Sequence, residues 1–398
     1  MNKNNNEKER TLNKRIVFTG GGSGGHISAA TAVIEGLKAQ YPDLYDKILY
    51  IGGNLPMEGE KDSKSLDQQI IGRTDIPFVA IRAGKLQRYL SFRTLTLILG
   101  IIGGFIDSHK ILRKFKPDMI FSTGGYVTVP VCVVGWLMRI PIFIHEQTAA
   151  VGLTNKIVGK FAKRVYISFK YSERYFNKKK TLLVGNAVRP AVFKKDGFGE
   201  SADAIKRMLP NKGKYPIVLI SGGGQGSHML NLTVRQMIRY FVEDFQVILQ
   251  TGDNKVNRDY EILVKEQRKL PEQLKDRFHV TKYINTEEIG AVLNNIDLFI
   301  GRSGANSVYE MGVLRKPSIF IPIPWVTHNE QFKNAKTLAD LGLATILPEG
   351  EVTADRLLSE IKKMFKKIDN GKLIISEEDL DKNFPADAVE KIIDDLPI

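Results

Sequence analysis

A short glycine-rich segment near the start of the chain places one histidine where chemistry is expected. Residues 20–25 contain five glycines and lie between the apolar run 15–18 and the helix-like run 29–40, and His26 follows the last glycine. Glycine backbone can approach a ligand closely, and a helix start attracts phosphate. With its near-neutral ordinary pKa, His26 is a candidate general base. The alternative is a solvated histidine beside a tight turn that binds nothing.

The same segment also fits the dinucleotide fingerprint, because Gly20, Gly22 and Gly25 have the required spacing. That fingerprint needs an acidic residue at the end of the second strand, where it holds a ribose. The second strand, residues 47–51, runs instead into two glycines and Asn54, and Glu58 is the nearest acid. An NAD-type oxidoreductase is therefore the function with the least support.

Two more glycine-rich turns follow strand-like runs, at residues 123–125 and 222–226. Glu146 lies just after the strand-like run 140–144 and is either an acid–base group or a structural carboxylate that caps a neighbouring loop. Glu310 falls two turns into a helix that begins near Ser303. On its own, a helical glutamate indicates little.

Strand-like and helical runs alternate through both halves of the chain. This pattern predicts an α/β protein with two Rossmann-like parallel-sheet domains facing across a cleft, and ligands at the carboxyl ends of the strands. The linker-like segment 185–190 gives a first domain over residues 1–187 and a second over residues 188–376. We expect residues 377–398 to form one charged amphipathic helix that packs back onto the first domain.

Composition excludes several classes of protein. The chain has 398 residues, a formal net charge of +14 and one cysteine, Cys132, so no internal disulfide is possible. No run of eighteen apolar residues occurs, and the polar first fourteen residues predict a loose tail without a signal peptide. The positive charge favours an anionic partner. No zinc-finger or RRM signature is present, so we do not expect nucleic acid binding.

One segment combines basic and apolar residues. Within residues 84–94, Lys85, Arg88 and Arg93 alternate with leucine, tyrosine and phenylalanine. Such a segment is typical either of a surface that docks on an anionic membrane or of ordinary core packing. The apolar run 97–105 that follows predicts a buried helix.

Metal-binding motifs are missing from the sequence. It contains no HExxH, no CxxC and no P-loop, and the pair Asp379 and Asp381 sits in an acidic tail typical of solvated surface. A diphosphate would then be neutralised by helix N-termini and basic side chains. We therefore expect neither a metal nor a cofactor.

Taken in order, the motifs resemble those of the MurG-type N-acetylglucosaminyltransferases of bacterial cell-wall synthesis, members of the GT-B glycosyltransferase superfamily. The similarity begins near Arg15 and runs to the end of the chain. The motifs that carry it are Gly20 to His26, Gly124-Gly125-Tyr126, His145-Glu146-Gln147 with residues 152–156, Gly185-Asn186-x-Val188-Arg189, Gly222-Gly223-x-Gln225-Gly226, Arg302-Ser303-Gly304-Ala305 with Glu310, and Gln331-x-x-Asn334-Ala335.

This resemblance implies an inverting transfer of N-acetylglucosamine from UDP-N-acetylglucosamine to undecaprenyl-diphospho-muramoyl-pentapeptide, without a bound metal. It implies a peripheral protein at the cytoplasmic face of the membrane. It also implies roles: Glu310 for the ribose hydroxyls, Ile284 for the uracil and Gln331 for the sugar. The remaining implied donor-side and acceptor-side positions are Ser23, Gly24, Gly25, His26, Tyr126, Glu146, Thr148, Arg189, Gly224 and Gln225.

The sequence also departs from the family pattern. Thr148 stands where the family commonly has asparagine, and Gly224 where it commonly has serine. A threonine lacks the paired donor and acceptor of an amide, and a glycine lacks the hydroxyl. Two alternatives therefore stay open: a related lipid glycosyltransferase with another donor sugar, and a UDP-sugar-binding homologue with weak catalysis.

Overall fold

The computed structural model describes residues 14–54, 65–72, 74–82, 93–195, 200–209, 213–326, 329–371, 373 and 376–398, with the backbone alone for 93–101, 200, 201 and 204. Contacts divide the chain into two compact units. The first comprises the residues up to Arg189 together with Pro385–Ile398, and the second comprises Pro190–Phe384. The basic and apolar segment 84–94 lies outside the described residues, apart from the backbone of its last two positions.

A seven-stranded parallel sheet forms the first unit, in the order β3-β2-β1-β4-β5-β6-β7. Its strands are β1 (Ile16–Gly20), β2 (Ile48–Gly53), β3 (Phe78–Ile81), β4 (Met119–Gly124), β5 (Ile142–Glu146), β6 (Arg164–Ile167) and β7 (Thr181–Leu183). Its helices are α1 (Gly24–Gln40), α2 (Leu66–Ile71), α3 (Arg93–Phe115), α4 (Thr128–Leu137), α5 (Leu153–Val158) and, from the C-terminal segment, α15 (Ala388–Asp395). The strand order reverses between β1 and β4, which is where open α/β sheets bind ligands.

The apolar runs form strands because both faces of the sheet are covered. Ile16 and Phe18 of β1 belong to one core, with residues of α1 and α15, whereas Val17 belongs to a second core with residues of α4. The same alternation places Phe121 of β4 in the first core and Ile120 in the second. This period of two fixes which strand residues face each layer of helices.

A six-stranded parallel sheet forms the second unit, in the order β10-β9-β8-β11-β12-β13. Its strands are β8 (Ile217–Ser221), β9 (Gln246–Gln250), β10 (Phe278–Thr281), β11 (Leu298–Gly301), β12 (Ser318–Phe320) and β13 (Ala344–Ile346). Its helices are α6 (Glu200–Met208), α7 (His228–Asp244), α8 (Asp259–Arg268), α9 (Glu272–Lys275), α10 (Thr286–Asn295), α11 (Ala305–Val313), α12 (Glu330–Ala339), α13 (Ala354–Asp369) and α14 (Glu377–Asn383). The prediction of two parallel-sheet α/β domains is confirmed.

The prediction of one helix over residues 377–398 is wrong. Ser376 caps α14, which ends at Asn383, and α15 begins only at Ala388. Pro385 lies between them and has no N–H to continue the first helix. The helix α15 belongs to the first unit, where Val389 would lie 2.4 Å from a Cβ added to Gly36 of α1.

Arg164 and Tyr166 hold the end of α15 through Asp395. The Arg164 Nε–H and the Tyr166 hydroxyl donate to Asp395 Oδ2 at 2.7 and 2.9 Å. Both donors lie on β6, so this carboxylate joins the C-terminal segment to the sheet of the first unit.

Within the described part of the chain, no helix combines the length and hydropathy needed to cross a lipid bilayer.

Candidate functional site

The first glycine-rich turn connects β1 to α1 and is tied to the end of β4. The Gly21 N–H donates to the Gly124 carbonyl at 3.2 Å, and the Thr123 hydroxyl donates to the His26 carbonyl at 2.9 Å. Ser23 is the N-cap of α1, and Gly24 and Gly25 are its first two residues. The N–H groups in the first turn of a helix have no backbone acceptor within that helix. His26 therefore lies in the first turn of α1, where its own backbone carbonyl is bound to β4.

A buried carboxylate that no sequence pattern predicts supports this turn. Asp67 on α2 is only 2% exposed, and it accepts the Gly22 N–H at 3.1 Å and the Gly53 N–H at 2.8 Å. Its oxygen would lie 2.2 Å from a Cβ added to Gly21. The N–H group of Gly22 is thus occupied by a carboxylate rather than left for a phosphate.

Tyr126 covers the same turn. Its ring would lie 2.8 Å from a Cβ on Gly22, and its hydroxyl 2.4 Å from a Cβ on Gly53, so both glycines make room for it. Burial and, second, the negative charge of Asp67 raise the pKa of Tyr126 to about 12. The hydroxyl of Tyr126 therefore stays protonated at neutral pH and acts as a hydrogen-bonding group.

His26 is connected to the interior of the first unit through Gln147. The Nδ1 atom of His26 lies 2.8 Å from Gln147 Oε1. The Gln147 Nε2 atom lies 2.7 Å from the His145 carbonyl and 3.3 Å from His145 Nδ1, and His145 Nε2 lies 3.0 Å from the Gly185 carbonyl. Full burial lowers the pKa of His145 to about 4, so its ring is neutral at physiological pH.

Glu146 is 1% exposed, and both of its oxygens are engaged with the loop that follows β5. One oxygen accepts from the backbone N–H of Thr148 at 2.9 Å and lies 2.7 Å from the Thr148 hydroxyl. The other accepts from the Gly152 N–H at 3.2 Å and from Asn155 Nδ2 at 3.0 Å. This geometry favours the loop-capping alternative for Glu146 over a role as the general base.

Thr148 fits this loop in place of the family's asparagine. Its hydroxyl lies between Glu146 and the Ala150 carbonyl, which is 2.8 Å away, and its own carbonyl accepts from the Ser172 hydroxyl at 2.8 Å. The side chains of Asn155 and His26 both border Gly124, since a Cβ added there would lie 3.1 Å from Asn155 Nδ2 and 3.3 Å from His26 Cε1. The loop after β5 is therefore ordered around Glu146 and reaches the histidine of the first turn.

In the second unit, the glycine-rich turn after β8 has different partners. The Gly223 N–H donates to the Ser221 hydroxyl at 3.1 Å, and the Gly226 N–H donates to the Gly223 carbonyl at 3.0 Å. A Cβ added to Gly224 would meet no atom within 4 Å, and both Gly224 and Gln225 are exposed. The surface of this turn is open.

Gln250 joins this turn to the predicted uracil-reading residue. Its Nε2 donates to the Gly223 carbonyl at 3.2 Å, and its Oε1 accepts from the Ile284 N–H at 3.2 Å. The Ile284 N–H can therefore donate to a uracil only after its hydrogen bond to the Gln250 side chain is broken.

The other predicted residues of the second unit follow β11 and β12. Arg302 is 7% exposed; it donates to the Ser227 hydroxyl at 2.9 Å and forms an ion pair with Glu349. Partly exposed Glu310 lies on α11, and Gln331 on α12 accepts from the Ile323 N–H at 3.0 Å. Gly224, Gln225, Ile284, Glu310 and Gln331 thus all follow carboxyl ends of strands in one sheet.

In the first unit, Glu146 is the last residue of β5, and the other predicted residues follow carboxyl ends of strands: Ser23, Gly24, Gly25, His26, Tyr126 and Thr148. Arg189 is the last residue of the first unit before the chain passes to the second, and its role stays a prediction. Among the residues with described side chains, no group of three histidine, cysteine, aspartate or glutamate residues could hold a metal ion.

Comparison with known families matches both units. Residues 16–167 match the glycosyltransferase family 28 N-terminal domain, and residues 217–392 match the glycosyltransferase family 28 C-terminal domain. Together these two matches cover most of the chain.

Curated relatives of one name are similar over most of their length. The chain is 33% identical over 352 residues to UDP-N-acetylglucosamine--N-acetylmuramyl-(pentapeptide) pyrophosphoryl-undecaprenol N-acetylglucosamine transferase 3 of Bacillus thuringiensis, covering 88% of this chain and 91% of that protein. It is 35% identical over 352 residues to the transferase of this name from Caldicellulosiruptor saccharolyticus, covering 88% of each.

Solved structures share the fold. The crystal structure of Acinetobacter baumannii MurG superposes with a TM-score of 0.66 at 23% identity, covering 96% of this chain and 98% of that one. A UDP-GlcNAc 2-epimerase from Neisseria meningitidis bound to UDP-GlcNAc superposes with a TM-score of 0.61 at 11% identity, covering 95% of this chain and 98% of the epimerase. At these identities the likeness concerns the fold alone.

Proposed function

This chain belongs to glycosyltransferase family 28, and we propose that it transfers N-acetylglucosamine from UDP-N-acetylglucosamine to undecaprenyl-diphospho-muramoyl-pentapeptide. The observation that carries the proposal is a sequence identity of at least 30% to the N-acetylglucosamine transferases described above, and this similarity extends through both units. The product of such a reaction is the disaccharide lipid from which peptidoglycan is built.

The second unit is proposed to hold the donor. Glu310 accepts from the ribose hydroxyls, the open turn at Gly224 and Gln225 receives the diphosphate, and the amide nitrogen of Gln331 reaches the sugar. The Gln331 oxygen is already held by Ile323, which orients the amide so that its NH₂ group is the part left for a ligand. Ile284 reads the uracil once Gln250 releases its N–H, and Arg189 contributes positive charge.

The first unit is proposed to act on the acceptor. An inverting transfer needs the acceptor hydroxyl to lose its proton while the bond from the sugar to UDP breaks. His26 takes that proton, and Tyr126 and the first turn of α1, from Ser23 to Gly25, contact the acceptor. Glu146 and Thr148 hold the loop beside His26 in place, so their contribution is to position groups rather than to move protons.

Peripheral membrane docking at the cytoplasmic face is the third part of the proposal. Ile102 and Ile106 on α3 and Trp136 and Leu137 on α4 expose 46–67% of their surface. The two helices are in contact, since a Cβ added to Gly104 of α3 would lie 3.4 Å from Pro130 of α4. Arg139 follows this apolar surface, and the net charge of +14 favours anionic lipid.

The double variant Trp136→Ser with Leu137→Ser should lower sedimentation with anionic vesicles. Tyr240→Ser, at an exposed tyrosine of the second unit, should not lower it. Equal sedimentation of both variants would contradict this docking surface.

The reaction is tested with purified protein, radiolabelled UDP-N-acetylglucosamine and the muramoyl lipid acceptor. Label in the lipid fraction that depends on the acceptor supports the proposal. Incorporation only from another UDP-sugar would indicate a different donor. UDP-sugar binding without any transfer would leave a binding homologue, and either of these two results overturns the proposed reaction.

The placement of the donor is tested by Glu310→Ala. Loss of a carboxylate that accepts from ribose hydroxyls should weaken UDP-N-acetylglucosamine binding by about 1.5–3 kcal/mol. Calorimetry measures this change, and Glu360→Ala on α13 provides a matched control in the same unit. Unchanged affinity of the Glu310 variant would remove the donor from this position.

A further inference from the structure

Three side chains form one continuous hydrogen-bonded path from the interior of the first unit to His26. The path runs from the Gly185 carbonyl through His145 and Gln147 to His26 Nδ1, with distances of 3.0, 3.3 and 2.8 Å. His145 and Gln147 are 0% and 2% exposed, so the two inner members exchange no hydrogen bonds with solvent. Only the ring of His26 reaches the surface.

The chemistry of these groups allows one arrangement of protons. The Gly185 carbonyl can only accept, so His145 Nε2 carries the hydrogen and, in the neutral ring, His145 Nδ1 accepts. The Ser168 hydroxyl, 3.2 Å from the same Nε2 atom, is compatible with this arrangement because it donates to Asn186 Oδ1. Gln147 then turns its NH₂ group toward His145 Nδ1 and the His145 carbonyl, because the reverse orientation would set two oxygens against each other. The Gln147 oxygen faces His26 Nδ1, which must therefore donate.

We propose that Gln147, oriented by His145, is a positioning residue that holds His26 in the tautomer with hydrogen on Nδ1 and a lone pair on Nε2. The inference rests on the proposed function, because the proposed transfer is the reaction in which this lone pair accepts a proton. In the transfer, Nε2 of His26 takes the proton of the acceptor hydroxyl. The hydroxyl oxygen bonds to the anomeric carbon of N-acetylglucosamine, the bond from that carbon to the UDP oxygen breaks, and UDP leaves with the electron pair.

Burial keeps this arrangement constant over the working pH range. Desolvation lowers the pKa of His145, with a smaller contribution from the positive charge that His26 carries when protonated. The titratable groups on the elements around His26 are Glu146, which is bound to its own loop, and Asp67 and Tyr126, which both contact the glycine turn. None of these three interrupts the path through Gln147.

The decisive measurement is the tautomer of His26, which needs no substrate. The chain has six histidines, so ¹⁵N-histidine labelling gives a spectrum small enough to assign with a His26→Gln variant. We expect the wild-type protein to show protonated Nδ1 and unprotonated Nε2 at His26. Gln147→Met should give a mixture of tautomers, because a thioether cannot hold the Nδ1–H group as an amide oxygen does.

Kinetics distinguish positioning from a general effect on structure. Gln147→Met should slow the single-turnover chemical step by about 10–100-fold, part of what a positioned base contributes, while UDP-N-acetylglucosamine affinity stays within about twofold. Gln147→Glu keeps the acceptor atom and adds a negative charge beside His26, so the acidic limb of the pH–rate profile should move up by about one unit or more. Gln40→Glu, at an exposed position of α1, makes the same change of charge and should leave the limb in place.

Each result has one meaning. A wild-type His26 with hydrogen on Nε2 overturns the inference, and so does a tautomer ratio that Gln147→Met leaves unchanged. If Gln147→Met does not fold, the wild-type spectrum and the pH profile of Gln147→Glu still decide. Failure of wild-type protein to transfer sugar would overturn the proposed function instead, because the tautomer is read without acceptor or donor.

Discussion

The two glycine-rich turns that begin the two sheets are alike in sequence and differ in what surrounds them. In the first unit, the Gly22 N–H faces the buried carboxylate of Asp67, and Tyr126 packs over the turn. In the second unit, the turn bonds to the Ser221 hydroxyl and to its own backbone, and Gly224 faces open space. The first turn is a filled support, and the second is an open surface.

Charge strengthens this contrast. A buried carboxylate below the first turn repels phosphate oxygens, and such repulsion is strong where water is excluded. Behind the second turn, the buried guanidinium of Arg302 donates to the Ser227 hydroxyl and pairs with Glu349. One motif can therefore position a base in one unit and receive a diphosphate in the other.

The largest test of the contrast is His26→Ala. If the first turn exists to support a base, this change should slow the single-turnover chemical step by about 10²–10⁴-fold. UDP-N-acetylglucosamine affinity should be nearly unchanged, because we assign the donor to the second unit. Rapid-quench kinetics and calorimetry on the same preparation measure the two quantities.

Glu146→Gln serves as the comparison for His26→Ala. It keeps an oxygen for the loop but sets an NH₂ group against one of the present donors, so we expect a loss of stability together with a moderate loss of rate. Near wild-type chemistry in His26→Ala would exclude His26 as the base and would leave the first turn without its assigned purpose.

The next largest effect is a dependence of stability on pH in the first unit. Below pH 6.5 the unfolded chain protonates His145, whereas the folded chain resists protonation until about pH 4. The free energy of unfolding should therefore fall as pH falls through this window, by on the order of 3 kcal/mol in total, and stay level above it with respect to this group.

Urea unfolding at pH 7, 6 and 5 measures this slope. The chain has two tryptophans, Trp136 in the first unit and Trp325 in the second, so a Trp325→Phe background reports on the first unit alone. His145→Gln should flatten the slope, and His109→Gln, at an exposed histidine of α3, should not. An equal slope in all three proteins would show that His145 is not held neutral.

The contrast between the turns could be predicted only in part. Most strands of both sheets were predictable because strands buried on two faces read as apolar runs. The strand β13 is not predictable in this way, because three partly exposed residues at a sheet edge give too short a pattern. The sequence also predicted both turns and His26, because glycine spacing is a local signal.

What distinguishes the turns is not local. Asp67 lies 45 residues from Gly22, and Gln147 lies 121 residues from His26. Asp67 lies in the first turn of a short helix, and Gln147 follows a strand. No sequence spacing at either position predicts these contacts. The helix break at Pro385, in contrast, has a local signal, which is the proline itself. The amphipathic periodicity of residues 377–398 favours one helix, and we gave that periodicity more weight than the proline.

A matched pair of alanine substitutions measures how filled each turn is. A Cβ on Gly125 would lie 2.0 Å from the Gly21 carbonyl oxygen, and Gly125 has a φ of 93°. Gly125→Ala should therefore destabilise the first unit by about 1–3 kcal/mol. Gly224→Ala meets open space and should change stability by less than about 0.5 kcal/mol. Fluorescence of Trp136 reads the first variant and that of Trp325 the second, and equal losses would contradict the contrast.

The smallest expected effect concerns the hydroxyl that Gly224 lacks. Gly224→Ser restores the residue common in the family at a position with room for it, so stability should be unchanged. If the open turn receives the diphosphate, the new hydroxyl should strengthen binding of UDP-N-acetylglucosamine and of UDP by about 0.5–1.5 kcal/mol, the net value of one hydrogen bond. Uridine, which has no phosphate, should bind as before.

The matching change in the first turn is Ser23→Gly, which removes a helix N-cap at a cost of a few tenths of a kcal/mol. This change should leave the affinities for all three ligands unaltered. Calorimetry with the three ligands therefore locates the hydroxyl, since a gain shared by uridine would place it away from the phosphates. A gain from neither UDP nor the UDP-sugar would mean that the second turn, although open, does not receive the diphosphate.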